Sequence, residues 1–303
     1  MQSIYDVCAP AKLNLFLHII GRRADGLHLL QSAFMLIDWC DTLHFHVRND
    51  GQISREDLSL ALPPDDLVLR AARALQRTSQ CPLGVHIGIQ KNIPAQAGMG
   101  GGSSDAASTL LALNRLWNLN LALPELARIG LALGADVPFF LSGGHAWVEG
   151  IGEQITPMEL PQAQNARDAR FVVVKPDAGL ETKRIFSDPA LKRNTKPVIL
   201  RRFVAHALGN VTALATYGRN DLQVVAQRLC PDVAQALAWL RSLGLAPRMT
   251  GSGSAVFAQL PPEMQEVDVP VAPEAMQVRV CGSLAVHPLA GWAGNDGFSV
   301  GGS

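Results

Sequence analysis

Within residues 5–19 the apolar and polar positions alternate. Leu13, Leu15, Leu17 and Ile19 fall on one face, while Lys12, Asn14, Phe16 and His18 fall on the other. A period of two is that of a strand, and a strand that sets Lys and Asn opposite a buried face can line a site. Gly26, just after Ala24 and Asp25, marks the turn that follows. Pro63-Pro64-Asp65-Asp66 reads as a helix start, with Leu67, Ala71, Ala74 and Leu75 as its apolar stripe. Val85, Ile87 and Ile89 predict a strand that ends at Lys91-Asn92. A helix is expected over 105–117, where Leu110, Leu113 and Trp117 share a face. Pro124 suits the first position of the next helix and Gly134 its C′ position.

After about residue 155 the texture changes. Pro157, Pro161 and the polar stretch 162–168 read as a junction between two domains, 1–157 and 158–303. The second half carries a buried strand at 171–174 and a helix over 231–243 closed by Gly244. Further strands are expected at 255–259 and 277–281. Strands and helices intermix without strict βαβ alternation, so the expected class is α+β. The Gly-rich stretch 294–303 reads as an unstructured tail.

Composition narrows the function classes. The 303 residues hold 26 Lys+Arg against 26 Asp+Glu, with 48% hydrophobic content. That length suits about two domains, each with enough apolar sequence for a core. Zero net charge gives neither the basic footprint of a nucleic-acid binder nor a polybasic membrane patch. No apolar run nears the roughly 18 residues of a bilayer span; Asp136 interrupts the longest. The first residues lack the pattern of a secretory signal, so a cytoplasmic location is expected. Cys8, Cys40, Cys81, Cys230 and Cys281 are odd in number and widely spaced, which suggests reduced thiols rather than disulfides or a zinc site.

The densest local signal is the run Pro94, Ala95, Gln96, Ala97, Gly98, Met99, Gly100, Gly101, Gly102, Ser103, Ser104 between a strand and a helix. Four glycines in five positions let successive backbone amides converge, and the helix that follows adds its positive dipole end. Both suit a polyphosphate. The hydroxyls of Ser103 and Ser104 could cap the helix or touch phosphate, and a β-branched residue at Gly101 should block the loop. The P-loop signature GK[ST] is absent, as are the dinucleotide fingerprint after the first strand and the protein-kinase motifs. In Gly134-Ala-Asp136-Val-Pro138, Asp136 is either a helix cap or a general base. Thr250-Gly-Ser-Gly-Ser254 is a tight turn before a strand. His44 and His46 read as surface residues, and no His/Cys/carboxylate cluster has metal spacing.

Taken in order, Pro10-Ala-Lys12-Leu-Asn14, the Gly-rich loop and Thr250-Gly-Ser-Gly-Ser254 resemble the GHMP small-molecule kinases over residues 9 to about 260. The resemblance implies a two-domain α+β fold with an ATP-binding half and a substrate half. It also implies transfer of phosphate from ATP to a hydroxyl, with Mg²⁺ arriving as MgATP, no tightly bound cofactor and no dedicated metal ligand. Within the family, Arg23-Ala-Asp-Gly-Leu-His28, Gly134-Ala-Asp-Val-Pro138 and Asn220-Asp-Leu222 are similar to the branch that acts on a diphosphocytidyl alcohol. By that resemblance Lys12 and Asp136 are the catalytic pair, and residues 94–104 are the phosphate cradle. Asn14, His28, Lys91, Thr182 and Phe186 match positions facing the substrate or its cytidine end. Two positions depart from the pattern: Leu27 stands where the family often has an aromatic residue, and Ala97 where it has glycine. The alternatives left open are a sister kinase acting on homoserine, mevalonate or a sugar, and a non-catalytic nucleotide-binding regulator.

Overall fold

The computed structural model describes residues 1–158, 169–209, 216–271 and 273–294. Two long antiparallel strands, β1 (Ser3–Arg22) and β2 (His28–Arg48), form its backbone. The free edge of β2 is shared by two strands. β4 (Gly84–Gln90) pairs with its 42–48 end and β5 (Ala146–Glu149) with its 32–34 end. β3 (Ile53–Asp57) lies parallel to β4, with α1 (Leu67–Ser79) connecting them, and β6 (Gln154–Pro157) closes the sheet beside β5. α2 (Gly101–Leu116), α3 (Leu123–Leu133) and α4 (Val137–Leu141) join α1 on one face of this sheet.

The second half begins with β7 (Arg170–Pro176), α5 (Thr182–Ser187) and α6 (Leu200–Gly209). α7 (Gln223–Leu229), α8 (Pro231–Ser242), β8 (Arg248–Met249), β9 (Val256–Gln259) and β10 (Met276–Gly282) follow. Its four strands run antiparallel in the order β10-β7-β9-β8. Alternation along the strands builds a layered core. Phe34 and Leu36 pack under α1–α4, whereas Ala33, Met35 and Ile37 face the second sheet and meet Phe171 and Val173. Val172 and Val174 point away again, into the core with α7 and α8. Both sheets and helices are thus present, as expected for α+β. Among the described residues no helix is long and apolar enough to cross a membrane.

Several sequence expectations need correction. The alternation in β1 is broken by a register shift between Asn14 and Phe16. This bulge turns Phe16 onto the face of Leu13 and Leu15, between the two sheets, and turns Leu17 onto the cleft side with Lys12 and Asn14. Nor are all the thiols reduced: Cys8 and Cys40 form a disulfide between β1 and β2, with Cα atoms 5.7 Å apart. Pairing of the two strands brings together residues 32 apart in sequence, which spacing alone does not reveal. Pro124 is the second residue of α3, and Gly134 has an extended backbone (φ 178°) open to any residue. The chain also returns after β10. Leu289 and Ala293 pack into the core under α1–α4, and Gly294 bridges to Ala122. The polar stretch 162–168, and 295–303 of the expected tail, lie outside the described residues.

Candidate active site

A cleft of about 750 Å³ lies where β1, the 94–103 loop, the start of α4, the 250–253 turn and α5 meet. Two staples from the second half hold its floor. Asn220 donates to the carbonyls of Met249 and Gly251, both at 2.8 Å, and Asp221 accepts from the Ile19 amide at 2.8 Å. The turn so fixed touches the Gly-rich loop backbone to backbone. Gly98 adopts φ +73°, and a Cβ there would run into the Thr250 carbonyl.

Along the loop, α2 starts at Gly101, earlier than the expected 105. Gly100 precedes it at φ +72°, and a Cβ there would lie 2.9 Å from the Phe140 ring. Gly101 is itself helical, so the left-handed constraint falls on Gly98 and Gly100 and not on the position expected. The amides of Gly101, Gly102 and Ser103 occupy the first turn, where a helix supplies no acceptor. They face the cleft at the positive end of a sixteen-residue helix. Residues 94–103 all line the cleft. Ser104 does not: its hydroxyl is fully buried without a hydrogen-bond partner among the described residues.

Lys12 comes from β1, which is tied to the loop by the Lys12 amide donating to Met99 O at 3.0 Å. Its ammonium donates to Asn14 Oδ1 at 2.5 Å, lies 4.4 Å from the Phe34 ring centroid and stands 3.6 Å from Asp136 Oδ2. Burial pulls the Lys12 pKa below the usual value, and Asp136 partly offsets this. Asp136 sits where a cap would, but its side chain makes no capping hydrogen bond and is one-third exposed to the cleft. The geometry therefore joins it to Lys12 and not to the helix. Asn14 also lines the cleft. With Lys12 on its Oδ1, Ser32 on its Nδ2 at 3.0 Å and Thr250 on its amide at 2.9 Å, it fixes the lysine.

Lys91, expected to face the substrate or its cytidine end, does border the cleft. It lies by Ile93 at the entrance to the loop, and its ammonium is held between Asp41 and Asp105, the latter at 2.5 Å. Asp41 is anchored by the amides of Asn92 and Ile93. Burial would lower the Lys91 pKa, but Asp105 and Asp41 outweigh it and raise it. Burial, more than the nearby Asp41 charge, pushes Asp105 up to about 8, although Lys91 opposes it. Sequence reasoning missed this buried triad. The available signal was an acid in the apolar helix pattern at 105, whose partners lie 14 and 64 residues away.

At the far end, Phe186 and Thr182 line the wall, with Thr182 Oγ1 bonded to Ser252 Oγ at 2.7 Å. His28 stands just behind the wall, its ring centroid 5.0 Å from that of Phe186. Leu27 beside it is 46% exposed and leaves room for a larger side chain. Ala97 is buried, and its carbonyl accepts from the Ala255 amide. A phosphate-sized nest, a lysine–carboxylate pair and an aromatic ledge thus share one cleft.

The family model for the N-terminal domain of GHMP kinases matches residues 66–144, and that for the C-terminal GHMP kinase region matches residues 201–269. The chain is 67% identical over 301 residues, 99% of each chain, to 4-diphosphocytidyl-2-C-methyl-D-erythritol kinase of Albidiferax ferrireducens. It is 61% identical to the protein of that name in Variovorax paradoxus, covering 97% of this chain and all of the other. Among solved structures, a 4-(cytidine 5'-diphospho)-2C-methyl-D-erythritol kinase superposes with TM-score 0.72 at 32% identity, over 91% of this chain and 98% of that one. Mevalonate kinase of Methanococcus jannaschii gives TM-score 0.67 at 16% identity, over 93% and 98%, a likeness of fold.

Proposed function

The chain belongs to the GHMP kinases, and from that premise we propose that it phosphorylates 4-diphosphocytidyl-2-C-methyl-D-erythritol. The γ-phosphoryl group of ATP goes to the 2-hydroxyl, giving the 2-phosphate and ADP in the non-mevalonate route to isopentenyl diphosphate. One observation carries this reading: Lys12 and Asp136 stand 3.6 Å apart at the mouth of the glycine nest. Phosphoryl transfer depends on positioning and charge neutralisation more than on covalent help from the protein. The first-turn amides of α2 receive the ATP phosphates, and the helix dipole favours their charge. Asp136 accepts the proton of the 2-hydroxyl. Lys12, kept in place by Asn14, stabilises the oxygen anion that forms and the group in transfer. Phe186 supplies a ring face to the cytosine, and His28 a polar contact at the base edge.

In this reading the first sheet with α1–α4 is the nucleotide half, and the second sheet with its helices completes the substrate half. Ser103 and Asp136 are among the cleft side chains with the oxygen donors that Mg²⁺ prefers and would hold it beside the nest, where it would supply charge shielding for the phosphates. Small-molecule substrates and an ATP supply suit the cytoplasm, with neither nucleic acid nor membrane as partner. A coupled ADP-release assay on the cytidine substrate, mevalonate and homoserine, with the product weighed by mass spectrometry, tests the proposal. Turnover confined to the cytidine substrate supports it; preference for either of the others sinks it.

A further inference from the structure

Arg193, in the segment after α5, reaches His28. Its Nε donates to His28 Nε2 at 3.0 Å. A guanidinium only donates, so Nε2 must be the bare nitrogen of a neutral ring and the proton must sit on Nδ1. Three of the other four N–H donors of Arg193 are committed as well. They bind the carbonyls of Phe186 at 3.1 Å, Asp188 at 2.7 Å and Leu191 at 3.0 Å. One side chain therefore fixes both the backbone that carries Phe186 and the proton position of the ring 5.0 Å from it.

The charges acting on that ring are cationic, from Arg193 in this segment and from Arg22 at the end of β1. After burial itself, these two hold the His28 pKa below its ordinary value. The ring thus stays neutral around pH 7, and among the described residues the Arg193 contact decides which nitrogen bears hydrogen. Without that contact the proton is free to move to Nε2, and the opposite edge would become an acceptor.

We infer that Arg193 is a positioning residue that locks His28 as the Nδ1–H tautomer, making the ring a fixed donor to an acceptor on the pyrimidine edge. The inference rests on the proposed cytidine substrate for its binding consequence, but not for the tautomer.

The test uses Arg193→Met, which keeps an apolar stem, together with His28→Phe and the double variant. Long-range ¹⁵N–¹H NMR of the full chain should show His28 protonated on Nδ1 in the parent and shifted toward Nε2 in Arg193→Met. At pH 8, Arg193→Met should raise KM for the cytidine substrate about tenfold, the size of one lost hydrogen bond, with little change in kcat. Acidification protonates the ring more readily once Arg193 no longer opposes its charge, although burial and Arg22 still do. Both nitrogens then donate, so KM of the variant should fall back toward the parent, whose own KM stays flat. His28→Phe should raise KM without recovery in acid, and adding Arg193→Met should change it little further. A raised KM that acid does not restore, or additive effects in the double variant, would reduce Arg193 to a packing role. A parent His28 protonated on Nε2 overturns the inference even if Arg193→Met does not fold. Failure of the parent to phosphorylate the cytidine substrate would overturn the functional proposal instead, and the NMR result would still decide the tautomer.

Discussion

Gly100 and Gly101 are neighbours in the loop, yet each looks toward the surroundings of a different lysine, Lys12 or Lys91. A Cβ at Gly100 would lie 3.4 Å from Lys12 Cε, and one at Gly101 would lie 3.5 Å from Asp41 Oδ2, the partner of Lys91. Lys12 has a single carboxylate nearby, at 3.6 Å and open to the cleft, and its pKa is lowered by burial. Lys91 has two carboxylates in direct contact, and its pKa is raised. The first arrangement leaves charge unspent for a ligand. The second is already paired twice and ties β2 to the start of α2, although Lys91 too borders the cleft. Burial of a lysine beside a nucleotide-sized cleft therefore does not identify its task; the completeness of its ion pairing does.

The largest effect separating the two should come from Lys91→Met. It strands the Asp41 carboxylate beside a protonated Asp105 in the interior, and breaking a buried ion pair costs about 3–5 kcal/mol. Urea denaturation should register most of that loss. Lys12→Met removes a desolvated ammonium and leaves Asp136 able to reach water, so the same titration should move little while turnover collapses. Equal destabilisation by both substitutions would erase the distinction.

Next comes Asp136→Asn, which should lower kcat roughly 10²-fold or more, a common general-base contribution, with ATP affinity nearly unchanged. Near-normal turnover would return Asp136 to the role of a helix terminus. The triad has its own pH signature. Asp105 binds a proton in the folded state up to about pH 8, whereas the unfolded chain releases it near pH 4. The folded state thus holds the extra proton between these limits, and this group's contribution makes stability fall as pH rises through that window. Asp105→Asn should flatten that slope; an unchanged slope in urea titrations at pH 5, 6.5 and 8 would contradict the raised pKa.

How much of this was legible beforehand follows from what each part is made of. The nest is built from backbone, and backbone of that shape demands glycine, so its composition announced it. The strands at 84–90, 170–176 and 276–282 and the helix at 231–242 were visible because their apolar periods are local. The bulge at Leu15 was not, since an extra residue in one strand is defined only by its partner. For the same reason the ion partners of Lys91 were hidden. Its neighbours in sequence say nothing of Asp41, fifty residues earlier. The pairing of Cys8 with Cys40 was hidden likewise.

The smallest expected effects lie at the base end and measure how far its side chains stand in for backbone. Phe186 is partly buried against the second core and also lines the cleft. Phe186→Ala should therefore raise KM for the cytidine substrate roughly tenfold or more, since base–aromatic stacking is worth about 1–3 kcal/mol. Some loss of Tm should accompany it, and lost stability with an unchanged KM would make Phe186 a packing residue only. Leu27 is half in solvent and, in the proposed binding mode, would offer the other face of the base dispersion contact alone. Tyrosine there adds a second ring face without displacing core atoms, because the Leu27 backbone is already pinned: its amide donates to Asp25 Oδ1 and its carbonyl accepts from Arg23. Leu27→Tyr should lower KM modestly and leave kcat alone, because the contact is remote from the transferred group. A raised KM, or a change in kcat, would show that the base does not lie between residues 27 and 186.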